Sequence, residues 1–218
     1  MGRPTRKAID KLRTSVWYEA VRIALGLRSA YQLDAHFGTG TDRNWYKYKA
    51  GTRVPTHATL AAVERAVAGS RAVFDIGPNG TVLWKALSGP HDQLWDVIDI
   101  VFPETATARV AVPLGLVQYQ NFLDKLFIPP DLKLEIDYIE WQQGDQPNFI
   151  GLAYRHNLIA IAGDEIACAI AYWRLSKLVA YDMFFANYLL DGIELTFQDV
   201  FGPEVGKLLL NYSREYLK

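Results

Sequence analysis

A chain of 218 residues, half of them hydrophobic, can bury a sizeable core and fits one large or two small domains. Its single cysteine, Cys168, excludes a disulfide framework and a cysteine-based zinc site, and it suits a reducing compartment. The apolar stretches near residues 110–123 and 166–190 are interrupted by Pro113 or by charged residues, so neither is expected to span a bilayer. We therefore expect a globular, cytoplasmic protein, with Cys168 on a buried helix face.

The net charge of −1 divides into two opposite parts. Residues 1–71 contain 13 Lys/Arg and 5 Asp/Glu, a net charge of +8, whereas residues 72–218 contain 10 and 19, a net charge of −9. A basic segment is what a polyanion-binding module requires, because neutralised phosphates supply most of the non-specific affinity for nucleic acid. The alternative is that the two halves pack on each other or on another subunit, and charge alone does not separate these possibilities.

The first 14 residues predict a basic arm. They are rich in Lys and Arg and poor in apolar groups, so Arg3, Arg6 and Lys7 are expected to enter a minor groove or to lie along phosphates. From Ser15 to Leu27, apolar residues recur at helical spacing. This spacing predicts a helix that packs beneath the elements that follow.

Two short helices joined by a turn are predicted next. The first begins at Ser29 and ends at Gly38; the second covers residues 42–50, is capped by Thr41 and ends at Gly51. Within it, Trp45 and Tyr48 are three residues apart and share the inner face, so the basic residues of this helix must point elsewhere.

A third helix is predicted from Thr56 to Val67, after the break at Pro55. Its inner stripe consists of Leu60, Val63 and Val67.

The residues that carry these signals are Ser29, Leu33, Phe37 and Gly38 in the first helix, and Trp45, Tyr48, Gly51, Arg53 and Pro55 in and after the second. In this pattern, which covers about a fifth of the chain, residues 29–67 resemble the Cro/repressor-like (XRE) helix-turn-helix family. The resemblance implies a helix-turn-helix fold and DNA binding, usually as a dimer on half-sites. The turn at residues 38–41 is one residue longer than the family's usual turn, and Ala30 stands where the family often has a phosphate-contacting Gln.

The predicted DNA contacts follow from side-chain chemistry. Arg43 and Asn44 are expected at base edges, because Arg favours guanine and Asn favours adenine, while Lys47 and Lys49 are expected on phosphates. Further phosphate contacts are expected from Arg53, from the N-terminal arm and from helix amides near Thr41. The mixture of aromatic and basic residues in this segment could also stack on single-stranded bases. Because Trp45 and Tyr48 are predicted to be core residues, only Tyr46 remains exposed for that role.

The rest of the chain predicts a second, acidic and mostly helical domain, so the fold class is mainly α. Residues 15–72 form the helix-turn-helix domain, residues 73–90 a connector in which a short hairpin is an option, and residues 91–218 the second domain. Helices are expected over Gln93–Val101, over Glu165–Leu190 as the central helix, and from Pro203 onward. The last of these is expected to turn five apolar or aromatic residues inward: Val205, Leu208, Leu209, Tyr212 and Tyr216.

No motif for catalysis or for metal or cofactor binding is found in the sequence. The four histidines are scattered, and neither a phosphate-binding loop nor a nucleophile elbow occurs. The pair Asp164–Glu165 is interpreted as a helix cap rather than as an acid/base pair. We therefore predict no enzymatic activity, no metal and no cofactor.

Two functions are consistent with these features. The first is a double-stranded DNA-binding protein, a bacterial or phage transcriptional regulator that forms a homodimer or another homo-oligomer through residues 114–218. The second is a protein-interaction module, such as a defence or counter-defence component, whose helix-turn-helix scaffold does not read DNA. The sequence names neither the DNA site nor an effector.

Overall fold

The computed structural model describes residues 7–38, 43–101, 161–179 and 183–217. In these residues all regular structure is helical and no strand occurs, which confirms the mainly α fold. Besides one turn of 3-10 helix at Pro78–Gly80, the helices are α1 (Ala8–Ala24), α2 (Ala30–His36), α3 (Asn44–Lys49), α4 (His57–Ala66), α5 (Ser70–Asp75), α6 (Leu83–Ser88), α7 (His91–Val101), α8 (Gly163–Val179), α9 (Met183–Glu194), α10 (Phe197–Phe201) and α11 (Pro203–Tyr216).

The chain divides into two compact units, residues 1–84 with 201–218 and residues 85–200. This division differs from the predicted domain of residues 91–218. The C-terminal helix α11 packs against α1 of the first unit, where Arg22 Nη2 donates to Glu204 Oε1 at 3.3 Å. The charge asymmetry persists, because the first unit contains 16 Lys/Arg and 8 Asp/Glu, net +8, and the second 7 and 16, net −9.

Helix α1 begins earlier than the sequence predicted. It starts at Ala8 rather than Ser15, so residues 8–14 belong to the helix and not to a basic arm. Contacts with residues distant in the sequence stabilise this earlier start. Ile9 and Leu12 are buried, and the Arg13 guanidinium donates to Phe74 O through Nε (3.0 Å) and Nη2 (2.8 Å). Of the predicted arm contacts, Lys7 is the exposed N-cap of α1. Arg3 and Arg6 lie outside the described residues.

The core of the first unit is aromatic. Trp17 of α1 stacks on Trp45 of α3, with ring centroids 5.3 Å apart and planes 10° apart. Tyr48 and Phe74 meet the Trp17 ring edge-on at 5.5 and 6.3 Å. Large apolar surfaces removed from water supply the main stabilising free energy here, and the edge-on pairs add to it. The short helix α3 therefore takes its position from the rings behind it.

The predicted connector is helical. Instead of a hairpin, the structure has α5, the 3-10 turn at Pro78–Gly80 and the start of α6. The residues Gly77-Pro78-Asn79-Gly80 predict a turn. The structure confirms this turn, because Asn79 and Gly80 both adopt positive φ, 57° and 76°. Trp84 Nε1 donates to Val73 O at 2.8 Å, which ties the start of α6 to the end of α5.

In the second unit, α8 is the central helix. All but Arg174 of the eleven residues from Ile166 to Ser176 are buried, and Cys168 is among them, as predicted. The expected single helix over Glu165–Leu190 is wrong. Trp173 Nε1 donates to Asn187 Oδ1 at 2.8 Å, whereas one straight helix would put these residues about 21 Å apart. Helices α8 and α9 therefore fold back on each other; residues 180–182 lie outside the described part of the chain.

Two predicted helices of the C-terminal half are confirmed. Helix α7 covers His91–Val101 and buries Leu94, Trp95, Val97 and Ile98. Helix α11 has Pro203 at its first position and buries Val205 and Leu209. Its Tyr216 side chain is half-exposed, so the expectation that this residue faces inward is wrong. The apolar spacing also predicts helices over residues 114–127 and 149–162, and residues 132–141 fit either a helix or a strand. Of these three segments the structure describes only residues 161 and 162, which are not helical.

Candidate nucleic-acid interface

The pair α2 and α3 forms where the sequence predicted two short helices. Ser29 is the N-cap of α2, and its Oγ accepts from Gln32 N at 3.3 Å. Gly38 follows the C-cap with a φ of 67°, the left-handed conformation that Gly adopts without steric cost. The predicted limits of α2 are thus confirmed by its capping geometry.

Helix α3 is shorter than expected at its N-terminus. It begins at Asn44 rather than at residue 42, and its N-cap is Arg43, which makes no side-chain capping hydrogen bond. Arg43 has φ 47° and ψ 40°, a left-handed conformation that costs a non-Gly residue about 1–2 kcal/mol. The prediction that Thr41 is the N-cap is therefore wrong, and Thr41 itself lies outside the described residues.

A carboxylate from the neighbouring helix lies at this uncapped end. Asp34 of α2 is 4% exposed, and its Oδ1 accepts from Trp45 N at 3.4 Å. Trp45 N is one of the backbone donors that the first turn of a helix leaves without an intrahelical acceptor. A negative charge is also favoured at the positive end of the helix dipole. Asp34 thus does, from a separate element, what Thr41 was expected to do.

The C-terminus of α3 ends in a Schellman motif. Thr52 N donates to Lys47 O and Gly51 N donates to Tyr48 O, both at 2.9 Å, with Gly51 at φ 61°. A Cβ at Gly51 would lie 2.8 Å from Lys11 O, so the absence of a side chain lets the end of α3 approach the backbone of α1. Ser15 Oγ of α1 then donates to Lys49 O at 3.1 Å.

The inner face of α3 is confirmed. Trp45 and Tyr48 are 1% and 3% exposed, and Tyr46 is 47% exposed. Tyr18 lies against Trp45 in the same core, and its hydroxyl has no hydrogen-bond partner among the described residues. Burial raises the pKa of Tyr18 to about 12, so the ring stays neutral behind α3. A stacking role for Trp45 or Tyr48 on bases is excluded by this burial.

The outer face of α3 carries the predicted contact residues. Arg43, Lys47, Lys49 and Arg53 are exposed, and Asn44 is half-buried. Arg53 Nη1 donates to Asn44 Oδ1 at 2.5 Å, so the loop after α3 is tied to its first residue. Because five residues turn a helix by about 140° beyond a full rotation, Asn44 and Lys49 lie on opposite flanks. The structure thus brings Asn44, Lys47 and Arg53 together and separates them from Lys49.

One exposed residue beside this face was missed as a contact. Lys11 was assigned to a basic arm, but it lies on α1 where Gly51 meets the backbone of that helix. The spacing of Lys7, Lys11 and Ser15 by four residues could have indicated a shared helix face. Its position next to the end of α3 is tertiary and has no local sequence signal.

Other features of the described residues offer little chemistry. Burial raises the pKa of Cys168, which disfavours its thiolate form. Glu165 Oε2 accepts from Ala162 N at 3.1 Å, which confirms a capping role for Glu165. Because α8 begins at Gly163, Asp164 lies inside its first turn and is not the N-cap. In the described ranges no three His, Cys, Asp or Glu residues are grouped to hold a metal ion. Over the same ranges, no helix is long and apolar enough to cross a membrane.

Comparison with known proteins yields no match, whether with a protein-family model, a curated protein or a solved structure.

Proposed function

We propose that this protein binds double-stranded DNA through the outer face of α3 and acts as a cytoplasmic regulator of transcription of the bacterial or phage helix-turn-helix type. The observation that carries the proposal is the division of α3 into two faces. Trp45 and Tyr48 are buried against α1, while its basic residues are exposed on a unit of net charge +8. Cationic side chains on a rigidly packed short helix are what phosphate binding and groove contact require.

Roles for the individual residues follow from their positions. Arg43 lies at the start of α3, where recognition helices contact base edges, and its exposed guanidinium suits a guanine. Lys47, in the last turn, suits a phosphate. Asn44 is available to adenine through its amide group only if Arg53 releases Oδ1, so we assign base readout first to Arg43.

Oligomerisation through residues 114–218 is the second part of the proposal. Residues 114–160 lie outside the described part of the chain. The apolar stripe of α11 is buried within the first unit, through Val205 and Leu209, so it does not supply an intersubunit surface. We therefore restrict the proposed self-association to residues 114–200, and a monomer at micromolar concentration would contradict this assignment.

The test of DNA binding is a titration of labelled mixed-sequence duplexes at several salt concentrations. Lys47→Ala is expected to weaken binding to every duplex alike and to reduce the salt slope by about 1, whereas Arg43→Ala costs about 1–3 kcal/mol at one base position. Lys207→Ala is the matched control, because this exposed lysine of the same unit lies on α11, away from α3. Absence of wild-type binding at low salt would contradict the proposed function.

A second candidate is a protein-interaction module, and the bond between Arg53 and Asn44 favours it. This bond occupies the Asn44 oxygen, which adenine recognition would need. In this case the basic face of the first unit binds an acidic protein surface. A pull-down that survives nuclease treatment and is lost in Lys47→Ala would support this candidate over DNA binding.

A further inference from the structure

The end of α3 and the first half of α1 form one continuous surface. Ser15 Oγ reaches Lys49 O at 3.1 Å, and the absence of a side chain at Gly51 lets the chain pass next to Lys11 O and Cα. These are contacts between backbone groups or short side chains, so they fix the distance between the two helices. Exposed side chains at this junction therefore extend from two backbone segments that are held at a fixed distance.

Lysines from both helices lie on this surface. Lys11 and Ser15 are four residues apart on α1 and share one helix face, and Lys7, the N-cap, is four residues before Lys11. Because Ser15 contacts the end of α3, that face continues toward Lys49. Lys7, Lys11 and Lys49 are all exposed.

No ion pair to these three lysines occurs among the described residues. The acidic neighbour in the sequence, Asp10, is half-buried and lies in the first turn of α1, where the helix dipole stabilises a carboxylate. Like charges that share a surface repel one another, and a bound polyanion relieves this repulsion. The ammonium group is a compact point charge that suits phosphate oxygens without demanding a fixed geometry.

We propose that Lys7, Lys11 and Lys49 bind consecutive phosphates of one strand of duplex DNA, on the flank of α3 opposite to Asn44. The inference rests on the proposed DNA binding and refines it. The Lys7, Lys11 and Lys49 track supplies affinity that is independent of base sequence, whereas Arg43 and Asn44, at the start of α3, distinguish sequences.

The test compares Lys11→Gln/Lys49→Gln with wild type on several unrelated duplexes over a series of salt concentrations. Loss of two phosphate contacts is expected to reduce the magnitude of the slope of log K against log salt by about 1.8. At 0.1 M salt, the expected loss of affinity is on the order of 10- to 100-fold and equal for all duplexes. Both side chains are exposed, so the midpoint of thermal unfolding should stay unchanged.

Lys207→Gln is the control for the loss of one exposed lysine elsewhere in the same unit. Lys207 lies one helical turn after Glu204, which pairs with Arg22, and Arg22 is about 16 Å along α1 from Lys11. If wild type binds and the double variant behaves like Lys207→Gln, the inference is overturned while DNA binding stands. If the loss differs strongly between duplexes, the two lysines read bases and the track is also overturned. If wild type itself does not bind any duplex, this result contradicts both the inference and the proposed function.

Discussion

The two ends of α3 are held in different ways. At its C-terminus a Schellman motif closes on Gly51, and the chain packs against Lys11. At its N-terminus the N-cap residue Arg43 is left-handed and makes no side-chain capping hydrogen bond, and the carboxylate of Asp34 comes from α2. One end is thus defined by a local signal and the other by a neighbouring element, and the contact residues proposed for DNA readout lie at the second.

This difference teaches where errors in the interpretation of the sequence arise. A Gly that ends a helix acts through its own backbone, so it is recognisable in any context. A cap supplied by a separate helix requires that both helices already be packed, so the residues next to the helix end do not predict it. The predictions below test the two ends in order of expected effect.

The largest effect is expected at the C-terminal end of α3. Gly51→Ala should lower the free energy of unfolding by about 2–4 kcal/mol, because the left-handed φ is costly and the new Cβ clashes with Lys11. Urea denaturation measures the change.

Gly26→Ala is the matched control for this change. Gly26 closes α1 in the same motif, with Gly26 N donating to Ile23 O and Leu27 N to Arg22 O, and its φ is 64°. A Cβ there would meet nothing within 4 Å, so only the backbone cost of about 1–2 kcal/mol is expected. Equal costs at the two glycines would contradict the close approach of α3 to α1.

An intermediate effect is expected at the N-terminal end. Asp34→Ala should cost about 1–3 kcal/mol, because it leaves the buried Trp45 N without this acceptor. Asp75→Ala is the control: this carboxylate is exposed and pairs only across one helical turn with Arg71, so a cost of under about 0.5 kcal/mol is expected. If Asp34→Ala unfolds at the same urea concentration as wild type, Asp34 does not hold the start of α3.

The smallest effect concerns the backbone of Arg43. Arg43→Gly should be more stable than Arg43→Ala by about 1 kcal/mol, because only Gly adopts the left-handed conformation without steric cost. Both variants lose the guanidinium group, so both should lose the same DNA discrimination in the titration. The opposite order of stability would show that residue 43 is not left-handed in solution.

Local signals made much of the first unit predictable. Ser29, Gly38, Gly51 and Thr56 each cap or end a helix where the sequence placed that boundary, since each acts within one turn of chain. Periodicity also assigned Trp45 to the core, because a short helix packed on one side must bury the residues of that side.

Other assignments failed where distant contacts decide. The bond from Arg13 to Phe74 spans 61 residues and draws residues 8–14 into α1. The bond from Trp173 to Asn187 joins two helices that looked like one, because both are apolar and no Gly or Pro separates them. Such pairings depend on the folded arrangement, and periodicity within a window cannot reveal them.

The sequence by itself determined that the protein is mainly helical, that its charge is split between two parts, and that the buried rings and exposed basic groups of α3 lie on separate faces. These properties follow from composition, helical period and capping, which act over a few residues. Only the tertiary structure decided that α11 belongs with the first unit, that Asp34 holds the start of α3, and that Lys11 lies beside its end. The physical reason is that packing of buried surface brings together groups far apart in the chain, and no local pattern encodes their distance.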